Sequence, residues 1–226
     1  MDRLAATGMQ DLRNKITEMG GRAEEAIASA VTAFLTGDIA AAQNVASIEN
    51  SVNRLHIRVD EICVKLLATQ QPMGGDLRYI VSAIKINTDL ERISDQAVNI
   101  AGNAKHALSG NPLERALKCD FSAMCNATRK MVRSAMDAFV NFSHEQAENV
   151  ITMDDEVDAL KRTIFDKVLA SMESGETSVR QGLDLILIAR NLEKVGDHAS
   201  NIAEDIIYAR SGRDIRHPYS RVPEEK

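Results

Sequence analysis

The sequence predicts an all-α protein of six helices, built as a tandem duplication of two three-helix bundles. Three observations carry that expectation. Apolar residues recur at three- and four-residue spacing over long stretches, the signature of a helix rather than a strand. The four prolines stand only at 72, 112, 218 and 223, so they interrupt no long periodic segment. Residues 76–101 also align without a gap on 178–203, an internal repeat at an offset of 102.

The first stripe runs through Leu12, Ile16, Met19, Ala23, Ala26, Ile27, Ala30, Val31 and Phe34, and predicts a helix over 9–36. Thr36-Gly37-Asp38 then supplies a stop and a fresh N-cap. Val52, Leu55, Val59, Ile62 and Leu66 predict the second helix over 39–70, closed by Gln70-Gln71-Pro72-Met73-Gly74-Gly75. Asp76 is the expected cap of a third helix over 76–108. After the break Ser109-Gly110-Asn111-Pro112, stripes beginning at Leu117, Val157 and Leu185 predict three further helices. The expected units are therefore residues 1–110, residues 111–210 and a flexible tail over 211–226, where periodicity is lost.

Composition narrows the function classes. Lys plus Arg is 27 against 33 Asp plus Glu, a net charge of −6, with no Trp. With no Lys/Arg-rich run either, the chain lacks the footprint needed to track a phosphate backbone, and no nucleic-acid partner is expected. Cys63, Cys119 and Cys125 form neither a C-x-x-C pair nor a zinc spacing, which fits a reducing cytoplasm. Charges at Asp2, Arg3, Asp11, Arg13 and Lys15 leave no apolar signal region. No stretch of about 18 apolar residues follows, so any membrane contact is expected only through partners.

Within the repeat, LERISDQAVNIA (90–101) matches LEKVGDHASNIA (192–203) at seven of twelve positions. Leu90, Ala97, Ile100 and Ala101 with their counterparts read as core. Glu91/Glu193, Asp95/Asp197 and Asn99/Asn201 lie off the apolar stripe, where packing does not account for them. Each carboxylate pair is spaced i,i+4, so both groups project from one helix face. The preceding helices carry matching pairs, Glu49 with Asn53 and Asp154 with Asp158.

Counting places these pairs opposite one another. The centres 51 and 93 have their midpoint at residue 72, the proline of the expected turn, and the centres 156 and 195 have theirs inside Ser174-Gly175-Glu176-Thr177. Residues equidistant from the turn of an antiparallel helix pair lie at the same height, on axes about 8 to 10 Å apart. Oxygen-bearing groups converging there repel unless a cation sits among them. An all-oxygen set suits hard ions such as Mg, Mn, Ca or Fe. The expected metal residues are therefore Glu49, Asn53, Glu91 and Asp95 in the first half, and Asp154, Asp158, Glu193 and Asp197 in the second. A solvated acidic groove is the plainer alternative. His198 adjoins Asp197 but points about 100° away from it, and Gln96 replaces it in the first half.

Arg78 and Arg180 repeat just inside the third helix of each half, as capping or salt-bridging residues or as contacts read by a partner protein. Gly74-Gly75 and Gly20-Gly21 lack the following Lys-Ser/Thr of a phosphate loop. With no Ser/His/Asp or Cys/His set to assemble either, the chain is not expected to be an enzyme.

QQPMGGDLR (70–78), TDLERISDQAVNIA (88–101) and NLEKVGDHASNIAED (191–205), set in a duplicated three-helix frame, resemble the PhoU family of bacterial regulators of phosphate transport and phosphate signalling. The resemblance covers roughly 9–210. It implies a cytoplasmic, metal-binding negative regulator that forms homodimers. Such a protein links the ATPase subunit of the phosphate ABC transporter to a phosphate sensor histidine kinase. The family's metal motif falls on Glu91, Asp95, Glu193, Asp197, Asp154 and Asp158, and Glu49 fits as well. Asn53 departs from the acidic pattern, and Ser94 stands where the second half has Gly196. The competing readings are a carboxylate-bridged iron protein for oxidase or storage chemistry, and a helical scaffold without metal.

Overall fold

The structure is a computed structural model and describes residues 3–108, 110 and 113–216. Six helices account for nearly all of these: α1 (Arg3–Thr36), α2 (Ile39–Gln70), α3 (Gly75–Ala107), α4 (Arg115–Asn141), α5 (His144–Glu173) and α6 (Val179–Ser211). The predicted first stripe is buried along its whole length, from Leu12 to Phe34. Helix α1 begins at Arg3 rather than at residue 9, since Leu4, Ala5 and Ala6 are strong helix formers that extend it.

The turns follow local chemistry. Gly37 takes a left-handed φ of +75°, and Asp38 caps α2 by accepting from the Ala41 amide at 3.1 Å. Ser143 and Ser178 cap α5 and α6 in the same way, each at 3.3 Å. The start of α3 differs from expectation. Gly74 occupies the cap position at φ +57°, a backbone state few other residues hold, so Asp76 falls inside the first turn. There its carboxylate meets the positive end of the helix dipole instead of closing it.

Helices α1 to α3 pack on one another, as do α4 to α6, giving the two expected bundles. They are not independent bodies. The most extensive contact in the molecule joins α3 to α6, and α1 also touches α4. Arg78 lies beside Gly212, Lys85 bonds Asp205, Asp89 meets His198, and Gln181 donates to the Ala107 carbonyl. Residues rising along α3 thus meet residues falling along α6, so the pair is antiparallel and relates the halves by an approximate two-fold. One apolar core runs through both bundles.

The expected boundary at 110/111 falls beside residues 109, 111 and 112, which lie outside the described set. Of the expected tail, residues 217–226 also lie outside it. Residues 212–216 return to the body: Gly212 ends α6 at φ +74°, Ile215 packs on the core, and Arg216 pairs with Asp214 and with the buried Asp205.

Candidate functional site

The second-half groove runs between α5 and α6. Asp154 and Asp158 stand one turn apart on α5, with Glu193 and Asp197 one turn apart on α6. Close approach of the two helices depends on Gly196. A Cβ built there would lie 3.3 Å from an Asp154 carboxylate oxygen and 3.5 Å from both Met131 Sδ and Val157 Cγ1. Glycine therefore lets Asp154 lean onto the α6 backbone.

The electrostatics record the convergence. Burial, followed by the charges of Asp197, Asp158, Asp155 and Glu193, pushes the Asp154 carboxyl up to about 6. Asp197 is raised by desolvation and then by Glu193, with His198 and Lys161 opposing. Lys161 of α5 reaches across the groove and bonds Glu193. Among the described residues no three His, Cys, Asp or Glu side chains stand close enough to share one ion. The four carboxylates feel one another, while the Lys161 ammonium is the only cation bonded to any of them among the described residues.

The first-half groove, between α2 and α3, holds its charges differently. Asn53 Nδ2 donates to Glu49 Oε1 within α2. On α3, Arg92 lies 3.5 Å from Glu91 Oε2 and 3.4 Å from Asp95 Oδ2. The position of Gly196 is taken by Ser94, whose buried hydroxyl has no hydrogen-bond partner.

Arg78 and Arg180 do not share a surface. Arg78 packs its guanidinium against Gly212 at the C-terminal end of α6, whereas Arg180 is exposed at the N-terminal end of that helix. The 33 residues of α6 separate those ends by roughly 48 Å at 1.5 Å per residue. His198 turns to α3, with Nδ1 2.8 Å from Asp89 Oδ1, and Asn201 donates to the same carboxylate. Sequence reasoning missed Lys161, although its place three residues beyond Asp158 put it on the groove face. It also missed Asp89, which no spacing within one repeat could pair with His198.

Comparison with known proteins agrees with the duplicated fold. The PhoU domain matches residues 16–104 and again 121–206. The chain is 35% identical over 209 residues to a phosphate-specific transport system accessory protein PhoU homolog of Pseudomonas putida, covering 92% of this chain and 81% of that one. The homolog from Pseudomonas aeruginosa is likewise 35% identical over 209 residues, 92% of this chain and 86% of that one. The crystal structure of PhoU from Pseudomonas aeruginosa superposes with a TM-score of 0.87 at 33% identity, covering 92% of this chain and 99% of that chain. The phosphate transport system regulatory protein PhoU from Streptococcus pneumoniae shares the fold at TM-score 0.86 and 22% identity, over 94% of this chain and 100% of that one. With the domain matched twice, at the two bundles that carry the carboxylate grooves, the chain belongs to the PhoU family.

Proposed function

We propose that this chain is a regulatory adaptor of the phosphate-specific transport system, a negative regulator that holds phosphate-responsive transcription down when phosphate is plentiful. In this reading it acts in the cytoplasm as a homodimer. It binds the transporter's ATPase subunit and a sensor histidine kinase, and it catalyses no reaction. The names of its relatives support the link to the transport system. Among the described residues no helix is long and apolar enough to cross a bilayer.

The observation that carries the metal part of the reading is the crowding of Asp154, whose carboxyl is pushed up to about 6 by burial and then by the charges of Asp197, Asp158, Asp155 and Glu193. An oxygen-only donor set of that kind fits a hard cation. Asp154, Asp158, Glu193 and Asp197 would hold it in the second half, and Glu49, Asn53, Glu91 and Asp95 in the first, once their side chains turn inward, since among the described residues no three acidic groups stand close enough as they are. The ion's chemistry here is charge neutralisation. The protein's own residues do the rest: Gly196 brings α5 onto α6, and Lys161 holds Glu193 until a cation displaces it.

Two experiments test the reading. A chromosomal deletion should leave phosphate-responsive promoters active in rich phosphate, and unchanged repression in that strain rejects the regulatory role. Elemental analysis of protein purified without chelators should find Mg, Mn, Ca or Fe. Oxygen consumption on adding ferrous iron would favour oxidase or storage chemistry instead.

A further inference from the structure

An apolar groove of about 610 Å³ lies between the N-terminal half of α2 and the C-terminal half of α3, well away from the tip where the two helices turn. Ala42, Ala46, Val98, Ala101, Gly102 and Leu108 line it, with Asp38 and Lys105 at its rim. The internal repeat supplies a template for what belongs there. The caps Asp38 and Ser143 set an offset of 105 between α2 and α5, and α3 and α6 are offset by 102. Under those offsets Gly37, Ala46, Gly102 and Ala104 correspond to Phe142, Ile151, Glu204 and Ile206.

Every one of those second-half residues is bulkier. Lys105 corresponds to Ile207, which is buried. Phe142 keeps a left-handed φ of +48°, costly for a residue with a side chain. Its ring lies 5.7 Å from that of Tyr79 and 5.8 Å from the Arg210 guanidinium. The second half fills from within what the first half leaves open.

The opening has a shape and a charge. A Cβ built on Gly102 would meet no atom within 4 Å, so this side is an open trough rather than an enclosed chamber. Asp38 to Ala46 spans about 12 Å along α2, enough for about two turns of another helix laid along it. Asp38 is committed to capping α2, whereas Lys105 is exposed and makes no ion pair among the described residues. The available rim charge is therefore positive.

We propose that this groove seats an amphipathic segment of a partner protein. The segment inserts an aromatic or branched apolar side chain between Ala46 and Gly102, and it carries a carboxylate about one helical turn away that meets Lys105. The inserted group does for the first half what Phe142 and Ile151 do for the second. The inference rests on the adaptor reading and names the surface the adaptor uses.

The test imports the second half's residues at positions 46 and 102 of the full-length protein and reverses the charge at 105. Ala46→Ile, Gly102→Glu and Lys105→Glu all fall at exposed positions, and circular dichroism and metal content should match wild type. Binding is measured to the purified transporter ATPase subunit and to the cytoplasmic region of the sensor kinase. Each variant should bind one of the two at least about tenfold more weakly, while Lys105→Arg retains wild-type affinity. Unchanged affinity in Ala46→Ile and Gly102→Glu overturns the assignment and leaves the adaptor reading standing. A wild type that binds neither protein rejects the adaptor reading, and the inference falls with it. Conversion of a wild-type dimer to a monomer by Ala46→Ile makes the occupant a second copy of this chain, which also overturns the proposal.

Discussion

The two carboxylate grooves derive from one repeat and balance their charges by different routes. In the first, neutralisation stays within each helix: Asn53 bonds Glu49 on α2, and Arg92 lies between Glu91 and Asp95 on α3. In the second, it crosses the groove, from Lys161 on α5 to Glu193 on α6. The residue equivalent to Lys161 is His56, which faces Asp60 one turn along its own helix at 3.5 Å. A counter-charge along one helix leaves the groove's two walls electrostatically separate. One across the groove ties the walls together, and an arriving cation can replace it. On the proposed metal reading, the same backbone would serve as two sites of unequal strength.

The comparison is broken most severely by removing charge from one side. Asp158→Ala combined with Asp197→Ala should empty the second groove of metal while the protein stays helical and the first groove keeps its share. Equal metal content in wild type and double variant would sink the assignment. In a titration of chelator-stripped protein the tighter phase should vanish in this variant, because more anionic ligands hold a divalent ion more firmly. Loss of the tighter phase on Asp95→Ala instead reverses the ranking of the grooves.

A sharper probe is Gly196→Ser, which gives the second half the first half's residue. The new Cβ must push the Asp154 carboxylate by a few tenths of an ångström from its 3.3 Å approach. Cation affinity should fall about tenfold. The better helix propensity of serine, worth about 0.5 kcal/mol, offsets the crowding in the melting temperature. A melting loss of more than about 5 °C would show instead that the glycine serves packing.

Lys161→Gln acts in the opposite direction. It removes the competing ammonium, so cation affinity should rise a few-fold by calorimetry. The metal-free protein should lose no more than about 1 kcal/mol, since the pair is partly open to water. A fall in affinity would mean that Lys161 positions Glu193 rather than competing for it.

The smallest effect is a pH dependence of the metal-free protein. Asp154 titrates at about 6 when folded, above its ordinary 3.8, so the folded state holds the proton more tightly than the unfolded one. Acidification from pH 7 to pH 4 therefore favours folding at this residue, and ionisation disfavours it above pH 6. Asp154→Asn should stabilise the protein at pH 7 by about 1 kcal/mol after allowance for solvent screening, or roughly 2 to 4 °C, and by almost nothing at pH 4. An equal shift at both pH values would remove the like-charge explanation.

What could be read in advance followed from local rules. Leu12 to Phe34 announced a buried face because one helix stripe needs no knowledge of its neighbours. The second half's carboxylate pairs could be placed across a groove because a short turn makes height a matter of counting. The same rules failed where geometry was set at a distance. Asp76 lost the cap to Gly74 because the reversal after Pro72 needs a left-handed residue. Arg78 and Arg180, equivalent in the repeat, came to rest at opposite ends because α3 and α6 run antiparallel. No periodicity within one repeat reports how two repeats face each other, so Asp89 with His198 and Lys85 with Asp205 stayed invisible.

That antiparallel pairing has a consequence during synthesis. The face of α3 that packs on α6 has no cover until residues 178–211 leave the ribosome, about a hundred residues after α3 itself. At about 5 to 20 residues per second, that wait lasts roughly 5 to 20 seconds. Throughout it the nascent first bundle presents an unmatched apolar surface carrying the half-paired acids and amides meant for α6. A chain halted near residue 110 would be a client for chaperones, and a gene for the first half alone would yield an aggregating product.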